Sequence, residues 1–519
     1  MKRNLQVLAA FALLLAAGCG GSIKIPVRTP TPAPVDPPVI AAPATLAEPV
    51  TPAAPTSRAW AVVVRDASSA PVPSAYVQLR VGGDQFVGNT NADGYLLFSV
   101  VPLDKPFHVE ITGGQAFKPF AADVAALTQE QPDGVFALER IRPLMPAVTI
   151  VGRTMRRGGA DWFPVFASDL SPLVLSPADR AAVLDQIKAE GFEGVRVFAG
   201  ALMWTTPIQT ADLARSVLPA FLDEAADRGL YVLVVAVTDS RVGGYDVPSH
   251  LRGIAEIVRG RSNVVGVTCA NEYWHPSQSD DVNNPNWLAL TCGPIFDAVG
   301  VPWDLGAPSF DEPLPDGTWP IPTGKFVTVH LDRSRDKWNQ VRRIREIYAV
   351  ADATGLPVWN AEMLGADDID PAVSGKQRST DPNFFFAAAV LGRAFRLPGV
   401  FHSEAGRWSR TLNPLDPTMF PAQLEAARAF VAGYAALPAD FNGEYANVGW
   451  STSPVHSAEF TDNGGPVVRA YSFVSGGLAY VVVIHTPDVL PTSALSWADG
   501  WRVVSQTGRP HVSIFRVVR

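Results

Sequence analysis

The chain has 519 residues, 47% of them hydrophobic, and 42 Lys and Arg against 50 Asp and Glu leave a net charge of −8. That length exceeds one ordinary domain, and the apolar content suffices for sizeable cores. There is no basic stripe or Lys/Arg-rich run, which argues against a nucleic-acid partner, and the acidity itself mainly favours solubility.

Residues 1–19 read as a targeting segment. Lys2 and Arg3 supply positive charge, and Leu5 to Ala17 is an apolar run too short to span a bilayer as a stable helix. The run ends in Ala16-Ala17-Gly18-Cys19, which resembles the lipobox of bacterial lipoproteins. The resemblance implies cleavage before Cys19, lipidation of its thiol and a lipid anchor in the cell envelope, at the outer membrane or cell surface. A plain secretory signal with an incidental Cys is the alternative. No later segment reads as a membrane span. Residues 20–58 are rich in Pro, Ala, Thr and Val and lack aromatics, so they read as an extended tether that cannot bury a core.

Residues 59–142 change character. WAVVVRD, AYVQLRV, GYLLFSV and FHVEITG are short β-type runs separated by Gly, Pro, Asn and Asp, the pattern of a β-sandwich. PVPSAYVQL followed by TNADGYLLFSVVP resembles the carboxypeptidase regulatory-like modules, which implies a spacer or adhesive unit, with carbohydrate binding as the other option.

Over 143–438, apolar strand-like runs alternate with helical ones. The strands are expected at 147–152, 194–200, 231–239, 264–272, 303–310, 326–332, 357–362 and 399–404. Continuous apolar runs indicate strands covered on both faces, as in a parallel sheet. Ser176 followed by Pro177 reads as the N-cap of the first helix, which ends at Gly191. Eight strands with intervening helices are the arithmetic of a (β/α)8 TIM barrel, an α/β fold flanked here by the N-terminal β-sandwich and a C-terminal β-domain over 439–519. The helix between the fifth and sixth strands is weak, because DEPLPDGTWPIPTGK holds too many prolines.

Two of these runs end in glutamates. VGVTCANE ends in Asn271-Glu272, and PVWNAE ends in Glu362. Two carboxylates at the ends of buried parallel strands are what acid/base cleavage of a glycosidic bond requires. With an Asn-Glu pair ending the fourth strand and a Glu ending the seventh, the barrel resembles the clan A retaining glycoside hydrolases, nearest in style to family 5. The resemblance implies Glu272 as acid/base, Glu362 as nucleophile, Asn271 on the sugar 2-hydroxyl, and a β-linked oligo- or polysaccharide substrate. It further implies that Arg196 orients the nucleophile and that His330 stands near it. Where family 5 usually has Tyr, two places after that His, this chain has Asp332, an alternative holder of the imidazole. On strand eight, Phe401, His402 and Glu404 replace the usual Trp platform, leaving Trp274 or Trp408 as stacking surfaces and His402 as a further substrate contact. Glu404 takes over a catalytic place if the strand count is shifted by one. Asp239 suits a sugar hydroxyl or the cap of the next helix.

Alternation puts Cys269 outside the barrel if Glu272 points in, and Cys292 lies in the following helical segment. An exported protein permits a disulfide between them, with two buried thiols as the alternative. Few cysteines and scattered histidines argue against a metal site. No GxSxG elbow, HExxH pair or phosphate loop is present, and no cofactor is expected. A non-catalytic glycan-binding lipoprotein on a degenerate barrel and an envelope transglycosylase are the competing readings.

Overall fold

The computed structural model describes residues 56–519 apart from breaks, the longest being 308–323, 331–336, 363–380, 403–414, 446–450, 453–467, 486–494 and 497–501. Cys19 and its signal segment, nearly all of the tether, the doubtful fifth helix, Asp332, Glu404 and Trp408 lie outside the described residues. Among the described residues no helix is long and apolar enough to cross a membrane.

Seven strands build the N-terminal sandwich: β1 (Ser57–Asp66), β2 (Tyr76–Val81), β3 (Asp84–Asn89), β4 (Tyr95–Pro102), β5 (Phe107–Thr112), β6 (Phe120–Val124) and β7 (Gly134–Leu138). They form two sheets, ordered β4-β1-β7 and β3-β2-β5-β6. In YVQLRV every second side chain is buried, and Val77, Leu79 and Val81 meet Trp60, Val62 and Val64 of the facing sheet. Each fully buried Val or Leu of this kind contributes about 1.5–3 kcal/mol.

The sheet that follows holds eight strands, with β11 (Val165–Asp169), β12 (Gly194–Phe198), β13 (Tyr231–Val237), β14 (Val264–Ala270) and β15 (Trp303–Asp304) running from one side. From the other side of β11 come β18 (Gly399–His402), β17 (Val358–Asn360) and β16 (Val327–Val329). All the pairs are parallel, and α1 (Pro177–Ala189), α2 (Ala211–Asp227), α3 (Ser240–Gly243), α4 (Val247–Val258), α5 (Pro285–Val299), α6 (Lys337–Thr354), α7 (Pro382–Ala394) and α8 (Pro421–Tyr434) lie between or after the strands. This is the (β/α)8 architecture. Ser176 caps α1 by accepting from Asp179 N, with Pro177 at its start and Gly191, at φ +88°, just past its end.

One barrel strand differs from expectation. The run 147–152 gives β8 (Val148–Val151), which pairs antiparallel with β9 (Thr154–Arg157), itself paired with β10 (Ala160–Trp162). Met155 and Trp162 of this meander pack with Phe166, Tyr231, Phe326 and Trp359, and the Tyr231 hydroxyl donates to Pro146 O. The first parallel strand is instead VFASD at 165–169. One false strand replaces one overlooked strand, so the numbering of the others stands.

The seam between β15 and β16 is closed by a side chain. Oδ2 of the buried Asp304 accepts from Thr328 N at 2.8 Å, from the Thr328 hydroxyl and from Gly306 N at 3.1 Å. Lys325 N adds a main-chain bond to Trp303 O. Gly306 sits at φ +101°, and a Cβ there would meet Ala270 O at 1.8 Å, so only glycine lets the chain return this close to strand four.

The C-terminal β-domain has a five-stranded antiparallel sheet, β19 (Glu444–Tyr445), β21 (Val468–Ser475), β22 (Leu478–His485), β25 (Val512–Val518) and β24 (Arg502–Arg509), in that order. A separate pair, β20 (Ser451–Thr452) with β23 (Leu495–Ser496), completes it. The domain packs on the barrel helices through Phe395, whose ring meets Tyr471 and Phe473 edge-on.

Candidate active site

Arg196, in the middle of β12, is 0% exposed. A buried guanidinium is costly unless its donors are met by charge and by hydrogen bonds. Here Nη1 donates to Glu362 Oε1 at 2.9 Å and Nη2 to Asn271 Oδ1 at 2.6 Å, while the group lies 4.6 Å from the centre of the Phe198 ring. One cation thus joins the middle of strand two to the ends of strands four and seven. Its two side-chain partners are Glu362 and Asn271, the contact expected of a group that orients the seventh-strand glutamate.

Glu272 and Glu362 are buried, and His330 stands between them. His330 Nδ1 is 3.2 Å from Glu272 Oε1 and 3.6 Å from Glu362 Oε2, so hydrogen bonding is to Glu272. One oxygen from each glutamate and the imidazole nitrogen all lie within 4.8 Å of one another. Such a triad could also receive a small divalent cation, but Arg196 already neutralises Glu362, which favours proton chemistry at this place. His402 is 1% exposed with Nε2 4.0 Å from Glu362 Oε2. It therefore stands beside the Glu362 carboxylate.

Glu272 has φ +43°, as does Asp239 at the end of β13. Left-handed backbone at non-glycine residues costs of order 1–3 kcal/mol and persists only when neighbours enforce it. Asp239 neither caps α3, where its side chain makes no cap bond, nor faces solvent. Its Oδ2 accepts Met203 N at 3.0 Å and so fastens the connection after β12. Trp274, two residues past Glu272, is 37% exposed and stands edge-on to Tyr273.

Behind strand four, Cys269 and Cys292 form a disulfide with a Cα–Cα distance of 6.3 Å. Both are fully buried, Cys269 on the outer side of β14, as the alternation from Glu272 requires, and Cys292 in α5. The reading from sequence overlooked Phe198, Asp304 and Gln278. A lone acid inside an apolar strand was the available signal for Asp304, whereas nothing local marks the other two.

No family model and no curated protein matches the chain. Among solved structures it is similar to a glycoside hydrolase family 5 protein from Bacteroides vulgatus ATCC 8482, at 12% identity and TM-score 0.46, over 73% of this chain and 95% of that one. It is also similar to a family 5 subfamily 18 protein from Streptomyces cattleya in complex with Manb1-4GlcNAc, at 19% identity and TM-score 0.38, over 54% of this chain and 82% of that one. Likeness at this level leaves the chemistry to be argued from the side chains.

Proposed function

We propose that the chain is a retaining glycoside hydrolase, with Glu362 as nucleophile and Glu272 as general acid and base. The observation that carries this reading is the pair of buried carboxylates at the ends of the fourth and seventh strands, with oxygens within 4.8 Å. Retaining enzymes hold the two carboxyl groups about 5–5.5 Å apart, and inverting ones leave about 6.5–9.5 Å for an intervening water. The guanidinium on Glu362 supports the division of roles, because a bound cation favours the ionised form that a nucleophile needs.

Glu362 attacks the anomeric carbon as the bond to the leaving oxygen breaks, and Glu272 gives that oxygen its proton. A water then attacks the same carbon of the glycosyl ester and passes a proton to Glu272. The ester bond breaks, Glu362 recovers its charge, and both groups return to their starting states. Asn271, with its oxygen held by Arg196, keeps its NH2 end for the sugar 2-hydroxyl. Trp274 offers a stacking face. The β-linked substrate class and the envelope location, through a lipid at Cys19, follow from the resemblances set out above. Loss of labelled palmitate in Cys19→Ser tests the location.

The activity is tested by hydrolysis of β-glucans, mannans, xylans and aryl β-glycosides by the protein lacking residues 1–19, beside Glu362→Gln. We expect turnover with retained anomeric configuration by NMR, lost in the variant. Equal glycan binding by both proteins without turnover by either would replace this reading with that of a binding module.

A further inference from the structure

We infer that Gln278 is a positioning residue that sets the acid/base Glu272. The inference rests on the reading just given. Gln278 belongs to the connection between β14 and α5, is 1% exposed, and has no charge to titrate. Its amide spans two strand ends. Nε2 donates to Asn271 O at 2.7 Å, and Oε1 accepts from Ser240 N at 3.2 Å and from the Ser240 hydroxyl at 2.9 Å. The chemistry leaves one orientation, since Asn271 O can only accept and Ser240 N can only donate.

Each of the two places it ties adjoins a strained residue. Asn271 O belongs to the peptide that leads into Glu272, and Ser240 directly follows Asp239, both at φ +43°. A hydrogen bond to Asn271 O fixes the plane of that peptide, and with it the direction in which the Glu272 side chain leaves the backbone. The same turn is closed by His275 N donating to Glu272 O at 2.7 Å, and a second rung runs from Arg241 N to Ser277 O at 2.9 Å. Ser279 N adds a bond to the Ser240 hydroxyl at 2.8 Å. The two connections therefore move as one piece, with Gln278 at its centre. Without the brace, the Glu272 turn can relax toward ordinary backbone angles and carry the carboxyl off His330.

The test uses the loss of acid assistance, which a loss of folded protein does not imitate. Poor leaving groups need a proton from Glu272, and dinitrophenolate does not. In Gln278→Leu we expect kcat/KM to fall about 10- to 100-fold on phenyl glycosides, the range that about 1 Å of misplacement produces. On dinitrophenyl glycosides it should change less than about twofold, and Glu272→Ala should show the same pattern more strongly. Ser240→Ala, which removes one bond to Oε1, should give a smaller effect of the same kind and serves if the Leu variant does not fold. An equal fall on both substrates, or no change on either, would overturn the inference. Should the wild type hydrolyse no glycoside, the functional reading falls and the crystal structure of the variant decides. Glu272 displaced from His330 supports the brace, and an unchanged 3.2 Å contact refutes it.

Discussion

Replacing Asp304 by Asn should expose a pH dependence that the wild-type barrel carries in its seam. The carboxyl is fully enclosed, and burial pushes its pKa from 3.8 up to about 6, with Thr328 and Gly306 pulling the other way. The folded chain thus keeps a proton between pH 3.8 and 6 that the unfolded chain releases. Stability falls as pH rises through that window and levels off above it, because there the native state binds more protons than the denatured one. The interval corresponds to roughly 3 kcal/mol. His250 works in the opposite sense: burial lowers its pKa from 6.5 to about 4, and it costs stability as pH falls between those values. The wild-type curve is consequently flattened, and only the difference between the two proteins isolates Asp304. Asn can accept the same three donors through its oxygen, and its NH2 takes the place of Oδ1 beside the Thr268 hydroxyl. Urea denaturation followed by tryptophan fluorescence from pH 4 to 7.5 would measure this. Relative to wild type, Asp304→Asn should gain about 3 kcal/mol across the range. Parallel curves for the two proteins would refute the reasoning.

Other outcomes follow from the site. Arg196→Met leaves a buried carboxylate uncompensated, a penalty of about 3–5 kcal/mol that Glu362 escapes by taking up a proton. In steady-state assays kcat should drop at least about 100-fold, since the nucleophile is then neutral. Removing the disulfide with Cys269→Ala and Cys292→Ala should cost about 3 kcal/mol, read as a lower Tm that reductant no longer changes. Trp274→Ala should raise KM about fivefold with kcat within about twofold, as expected for a surface that binds ground and transition states alike.

The barrel was legible because strands buried on both faces read as unbroken apolar runs, and VVGVTCA and YVLVVAV are such runs. VFASD was overlooked because it is short and Ser168 and Asp169 interrupt its apolar run. AVTIVG misled for the opposite reason, since β-branched content marks a strand without saying whether its partner is parallel. The two glutamates were visible because strand ends carry chemistry in this fold. The Gln278–Ser240 tie and the Asp304–Thr328 closure were not, for the partners lie 38 and 24 residues apart and no periodicity links them. The approach of His402 to Glu362 was equally hidden, because the strands that carry them become neighbours only in the folded barrel.

The bond between Cys269 and Cys292 encloses Asn271, Glu272, Trp274 and Gln278 in one covalent ring. A protease that nicks the chain anywhere inside this ring produces two fragments that stay joined. For a cut between Glu272 and α5, β14 remains paired to β13 on one side, and α5 remains pinned behind it on the other. The disulfide thus keeps the two parts of a nicked barrel covalently joined.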